Sequence, residues 1–149
     1  MSDSEFVVEP GHQIVLGDYD PGYTGPYRCK EEVKELLESN LDRLNELQNL
    51  LYADGHHALL MVLQAMDAGG KDGTIRHVAG AFNPQGTRVI SFKVPTEREL
   101  AHDFLWRIHQ HTPGRGEVAI FNRSHYEDVL VVRVHNLVPE TVWRRRYDH

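Results

Sequence analysis

Lys71 stands among three glycines, Gly69, Gly70 and Gly73, and between two carboxylates, Asp67 and Asp72. A lysine in a glycine-rich loop is a means of holding phosphate: bare backbone N–H groups line the loop, and the ammonium adds a whole charge. What flanks the loop decides whether it can be used this way. Upstream, Ala58 to Leu63 is an almost unbroken apolar run and reads as a strand buried on both faces, as in a parallel sheet. Downstream, Ile75, Val78, Ala79 and Phe82 fall on one side of a helical pattern. Strand, glycine loop with lysine, and a helix whose positive end meets the loop together make a phosphate cradle.

Set against the P-loop pattern G-x-x-x-x-G-K-[ST], the window Ala65 to Asp72 matches at Gly70 and Lys71. Ala65 takes the place of the first glycine, and Asp72 that of the magnesium-binding hydroxyl. The pattern alone also allows a glycine-rich turn closing a core strand. Asp67 is unusual, because a carboxylate inside such a loop repels phosphate. It makes sense as a magnesium ligand or as an acceptor for the proton of an attacking phosphate. It makes equal sense as a turn residue whose side chain takes loop amides.

The segment from Leu63 to Thr74 resembles the Walker A segment of the polyphosphate kinase type 2 family, and Ile120 to Asp128 resembles its Walker B segment. Asn83 to Gly86 and Lys93 to Thr96 are similar to the stretches between, so the likeness covers roughly residues 25 to 149. The resemblance implies an α/β, P-loop kinase-like three-layer fold with a parallel sheet. It also implies magnesium-dependent phosphoryl transfer between inorganic polyphosphate and AMP, ADP or ATP, and assembly as a homo-oligomer. By the same resemblance Asp67, Lys71 and Arg123 are catalytic. The phosphates are then held by Ala68, Gly69, Gly70, Lys71, Asp72, Gly73, Thr74 and Arg123, and magnesium by Asp67 with Asp128. Asn122 stands where many P-loop enzymes place a magnesium-binding aspartate, and Asp128 is the nearest replacement carboxylate. The family's domain continues well beyond the position matching His149, so the expectation is a chain truncated before the lid, with sheet edges open. Two other readings remain: an ATP-dependent nucleotide kinase of the same fold, and a non-catalytic phosphate-binding or assembly module.

Bulk composition narrows the classes. The 149 residues give one domain with a real core, and 40% hydrophobic with 26% charged content is ordinary for a globular protein. No apolar run is long enough for a transmembrane helix, and the acidic start lacks the features of a signal peptide. The single Cys29 fits a reducing cytoplasm. A net charge of −6 argues against general nucleic-acid binding and requires any basic channel for a polyanion to be local.

These residues need elements to hold them. Residues 1 to 28, rich in proline and glycine, read as an extended arm ordered in part by Phe6, Val7, Ile14, Val15 and tyrosines; residues 29 to 149 read as the P-loop kinase-like domain. Lys30 to Tyr52 has helical spacing of Val33, Leu36, Leu37, Leu41, Leu44, Leu47 and Leu51, a stripe for core packing. Gly86 to Phe92 is a second strand and Glu117 to Phe121 a third. Between them Thr96 and Glu99 form a capping box, with Leu100, Phe104, Leu105 and Ile108 as the buried face that follows. Val129 to Val134 fits helix or strand, and Pro139 to Tyr147 fits a helix ending in Arg144, Arg145 and Arg146, which are either the start of a basic lid or a solvated run. Alternating strands and helices place ligands at the carboxyl ends of the strands, where both motifs lie. The histidine pairs His56-His57 and His109-x-His111 lack the spacing of a metal site, and Ser124-His125 lacks the surroundings of a hydrolase nucleophile.

Overall fold

The computed structural model describes residues 7–149. They divide into two compact units, one running to Leu37 and one from Glu38 to His149. In the first, the described residues of the arm form turns, with a 3-10 turn at Leu16–Asp18. Asp20 Oδ1 accepts the Gly22 N–H at 2.8 Å, and Glu32 accepts the Arg28 N–H at 2.9 Å, capping the entry to the long helix α1, Glu31–Asp54. Of the residues expected to order the arm, Val7, Ile14 and Val15 are exposed and Phe6 lies outside the described residues.

The second unit holds the sheet, formed by β1 (Leu59–Leu63), β2 (Thr87–Ser91) and β3 (Val118–Asn122) in the order β1-β3-β2, all parallel. Leu59 and Thr87 both pair with Val118, and Leu63 and Ser91 both pair with Asn122. Side chains of β3 alternate between two cores. Ala119 and Phe121 join Phe92 and Ile108 on one face; Val118 and Ile120 join Phe82 on the other, backed by Leu44, Leu51, Met61, Leu63, Ile75 and Ala79.

Two expectations change here. The apolar run of β1 is not buried on both faces: it is an edge strand, with Leu59, Leu60 and Val62 exposed, and the doubly buried strand is β3. The leucine stripe of α1 is core only in part. Leu44 and Leu51 pack on the sheet, Leu36, Leu37 and Leu47 are exposed, and Gln48 is the buried residue of the helix. Gln48 Oε1 accepts the Asn83 N–H at 3.2 Å, which satisfies a polar group in the core. The helix passes so close that a Cβ on Gly86 would lie 2.5 Å from Gln48 Nε2 and 2.8 Å from Tyr52 Cδ2.

The connections follow local chemistry. Helix α2, Lys71–His77, continues through a 3-10 turn at Ala79–Ala81. The Thr96–Glu99 capping box is present and opens α3, Glu97–Leu100. The buried face expected beyond it is interrupted. Asp103 takes the Leu105 N–H, a new helix α4 starts at Trp106–His109, and Leu100 is left exposed. The run Val129 to Val134 is a turn followed by helix α5 at Val131–Val134, and α6 spans Glu140–Arg146.

Arg107 of α4 is the charged group at the centre of this unit. Its side chain is 5% exposed and donates to Lys93 O at 2.8 Å and to Asp128 Oδ2 at 3.2 Å, while its guanidinium lies 5.4 Å from the centre of the Phe92 ring. Burial pushes the Asp128 carboxyl above the usual carboxylate range, with Arg107 opposing the shift. Breaking a buried pair at one partner strands the other, so Arg107→Ala is expected to cost about 3–5 kcal/mol in urea denaturation. Without Arg107 the Asp128 carboxyl rises further, and the folded state holds a proton that the unfolded state releases. The deficit therefore grows as pH rises above the ordinary carboxylate range. A loss under about 1 kcal/mol, or one independent of pH, would show that the pair is not structural.

Candidate active site

The glycine loop leaves β1 at Leu63 and returns as α2 at Lys71. Its shape follows from a few backbone requirements. Gly69 donates its N–H to Met66 O at 3.0 Å, and a Cβ there would meet Ala65 Cβ at 2.8 Å, so only glycine closes this turn. Gly70, at φ 83, sits in the left-handed region at the N-cap of α2. Ala68, at φ 62, holds a conformation uncommon for a residue with a side chain, a strain of the sort found at ligand sites.

Beside the loop lies the end of β3. Asp67, Ala68, Gly69, Gly70, Lys71, Asp72 and Gly73 from the loop, with Asn122 and Arg123 from β3, line one cleft of about 280 Å³. The two segments are joined by polar contacts. The Arg123 N–H donates to Leu63 O at 3.0 Å, which extends the ladder by one residue beyond the strand. Arg123 Nη2 lies 2.5 Å from Asp67 Oδ1, and Asn122 Nδ2 donates to Asp72 Oδ1 at 2.7 Å. Lys71 Nζ folds back over the loop and donates to Ala65 O at 2.7 Å and Met66 O at 2.9 Å. Two cations and two carboxylates thus line the cleft, and their formal charges cancel. The basic channel that the net charge called for is not present in this cleft.

The structure brings together Asp67, Ala68, Gly69, Gly70, Lys71, Asp72, Gly73 and Arg123. Thr74 and Asp128 are not among the residues lining this cleft. Thr74 Oγ1 donates to Gly70 O at 3.2 Å, within the first turn of α2. Asp128, expected as a metal ligand, does not line the cleft; its carboxylate is committed to Arg107, and its backbone carbonyl accepts from Arg146 at 2.6 Å. Asn122 spends its amide on Asp72. None of the arginine triplet lines the cleft: Arg144 pairs with Glu140, Arg145 lines a separate surface hollow, and Arg146 lies over Phe104. Ser124 is fully buried and its Oγ accepts the Tyr126 N–H, so it is no exposed nucleophile. Sequence reasoning missed Glu127, whose Oε2 lies 3.3 Å from Arg123 Nη1. Its one signal is its place four residues after Arg123. Among the described residues no cluster of three or more His, Cys, Asp or Glu forms a preassembled metal site, and no helix is long and apolar enough to cross a membrane.

A parallel α/β sheet with a glycine loop and lysine at the carboxyl end of one strand, and an arginine at the end of the next, defines a P-loop kinase-like fold. Comparison with known proteins narrows the class. The sequence pattern of the Polyphosphate kinase 2 (PPK2) family matches residues 27–149, and the chain belongs to that family. It is 57% identical over 146 residues to an AMP/ADP-polyphosphate phosphotransferase of Meiothermus ruber, covering 97% of this chain and 55% of the relative. An ADP-polyphosphate phosphotransferase of Rhodopseudomonas palustris is 46% identical over 155 residues, covering 96% of this chain and 54% of the relative. The crystal structure of Polyphosphate Kinase 2 from Arthrobacter aurescens TC1 superposes with a TM-score of 0.84 at 45% identity, covering 95% of this chain and 51% of that one. The chain spans about half the length of the curated relatives it matches.

Proposed function

We propose that the cleft between the glycine loop and the end of β3 moves a phosphoryl group between inorganic polyphosphate and AMP or ADP. The observation that carries this is the meeting of Asp67, Lys71 and Arg123 in one cleft, with the loop amides of Gly69 to Gly73 around them. The printed names of the relatives supply the substrate pair: the Meiothermus ruber protein is named for both AMP and ADP, the Rhodopseudomonas palustris protein for ADP.

Each residue has a defined part. Lys71 and the loop amides grip the phosphate chain. Lys71 Nζ exchanges two neutral carbonyls for charged phosphate oxygens, which make stronger bonds. Arg123 presents a planar fork to a neighbouring phosphate and, in turning to it, releases Asp67. The freed carboxylate orients the attacking nucleotide phosphate oxygen and takes any proton it carries. That oxygen forms a bond to the terminal phosphorus of polyphosphate; the P–O bond to the next phosphate breaks, and its electron pair leaves with the shortened chain. Magnesium, when bound, neutralises charge on the transferring phosphates. The donor set fits it. Asp67 and Asp72 both line the cleft, and magnesium takes one or two carboxylates together with substrate phosphate oxygens. In a cleft whose own charges cancel, such a cation would offset part of a polyanion's charge. Assembly of several copies belongs to the same reading and is supported by the exposed apolar residues Leu59, Leu60 and Val62 of β1.

The test is ATP formation from ADP by the complete native gene product, with long-chain polyphosphate and magnesium, read by luciferase. Polyphosphate-dependent ATP is expected, and chelation of magnesium should remove it. Phosphorylation of AMP by ATP without any use of polyphosphate would overturn the assignment in favour of an ATP-dependent kinase.

A further inference from the structure

Arg123 is held by two carboxylates of very different character. Asp67 is 89% exposed in its side chain, while Glu127 is 17% exposed and tied down on every side. Glu127 Oε1 accepts from Gln64 Nε2 at 2.7 Å. Gln64 Oε1 accepts in turn from Ser124 Oγ at 3.3 Å, and Ser124 Oγ accepts the Tyr126 N–H at 3.2 Å. Ser124 O takes the Glu127 N–H at 3.1 Å and closes the ring. Gln64 is the first residue after β1, and Ser124 to Glu127 form the turn after β3. The network therefore ties together the exits of the two strands that build the cleft, and its one outlet toward the cleft is Glu127 Oε2 on Arg123 Nη1.

We propose that Glu127, braced by Gln64 and Ser124, is the positioning residue of Arg123: it keeps the guanidinium at the cleft when phosphate displaces Asp67 from it. This rests on the phosphate-gripping role given to Arg123 above. The reasoning is one of which bond survives. An exposed ion pair is weak and exchanges readily for a phosphate. A carboxylate half-enclosed and already hydrogen-bonded to a side-chain amide is fixed in place, so its bond to Nη1 is the one that remains. Nη2 is then the end that turns from Asp67 to the substrate. Without Glu127 the arginine has a single anchor, and that anchor is the exposed loop residue that substrate binding must release. The left-handed backbone of Arg123, at φ 67, is not enough by itself, because it fixes where the side chain starts and not where its guanidinium ends.

Charge and geometry can be separated by substitution. Glu127→Ala removes both. Glu127→Gln removes the charge but keeps both contacts: after a half-turn of the Gln64 amide, the new carboxamide donates to Gln64 Oε1 and still accepts from Arg123, and Gln64 Nε2 donates to Ser124 Oγ. The experiment measures tripolyphosphate affinity by calorimetry and polyphosphate-driven ATP formation for wild type, Glu127→Ala, Glu127→Gln, Arg123→Ala and the Arg123→Ala/Glu127→Ala double variant, with melting temperature as the folding control. Glu127→Ala is expected to lower kcat/KM for polyphosphate by about tenfold, as couplings within one network commonly do. Glu127→Gln should restore most of the rate, and Glu127→Ala should cost almost nothing once Arg123 is absent. Equal losses in the two Glu127 variants would mean that charge alone matters, and losses that multiply in the double variant would mean that Glu127 does not act through Arg123; either overturns the proposal. Should Glu127→Ala fail to fold, Glu127→Gln and the same cycle built with it decide the matter, a loss as large as that of Arg123→Ala overturning it. If the wild type binds tripolyphosphate but transfers nothing, the transfer reading fails and the binding cycle still decides the role of Glu127. If the wild type binds no tripolyphosphate, both fall.

Discussion

Asp67→Asn is expected to abolish transfer, by about 10²- to 10⁴-fold, while tripolyphosphate binds as well as before or more tightly. The side chain of Asp67 is almost fully exposed and makes its one ion pair with Arg123, so its carboxylate can be neutralised with little effect on folding. Two consequences follow from the loss of charge. Arg123 is no longer drawn to the loop and is free for phosphate, and the anion no longer meets a like charge at the cleft mouth. Both favour binding. Neither helps the chemistry, since an amide cannot take a proton and is a weaker ligand for magnesium. On the same protein, affinity for tripolyphosphate by calorimetry should therefore hold or rise while the luciferase signal falls. Retained turnover with unchanged magnesium dependence would make Asp67 a turn residue and nothing more.

Lys71→Ala is expected to lower turnover by about 10²- to 10³-fold, the usual cost of removing one preorganised charge stabiliser. Affinity for tripolyphosphate should fall with it, unlike in Asp67→Asn. The lysine also spans the loop through Ala65 O and Met66 O, and those carbonyls lie at the surface, where water replaces the ammonium. The melting temperature should accordingly change little. A near-normal rate would remove Lys71 from the site; a large fall in melting temperature would show that its bridge across the loop shapes the fold.

The parts of this molecule that were legible in its sequence are those set by local chemistry. The Gly69–Gly73 loop and the Thr96–Glu99 box depend on residues close in the chain, and each is found as read. Of the side chains expected on one face after the loop, Ile75, Ala79 and Phe82 share a core, although the helix ends at His77. Strand alternation with helices also gave the parallel sheet and the loop at its carboxyl end. What failed depended on neighbours distant in sequence. An apolar run cannot say whether it will be flanked on one side or two, so β1 reads as buried on both faces although it lies at an edge. A leucine stripe cannot reveal that the helix will cross Gly86 closely enough to bury Gln48 in its place. The Arg107–Asp128 pair joins residues 21 positions apart and engages the carboxylate that the sequence offers to metal, a partner that local pattern does not reveal. Glu127 was overlooked because its bond to Gln64 spans 63 residues, a separation at which residue type alone carries no signal.

The cancelling charges of the cleft also bear on how the molecule meets its ligand among many competitors. A surface with a strong positive field draws every anion from a distance, nucleic acid included, at rates set by ionic strength. Here Lys71 and Arg123 are masked by oxygens of their own chain, and the whole carries −6, so no such field extends from the site. Recognition is deferred until contact, when a ligand must offer enough closely spaced oxygens to take both cations from their internal partners together. A chain of linked phosphates offers such oxygens on adjacent groups. If the cleft holds polyphosphate as proposed, discrimination resides in the exchange of partners within the cleft rather than in long-range attraction.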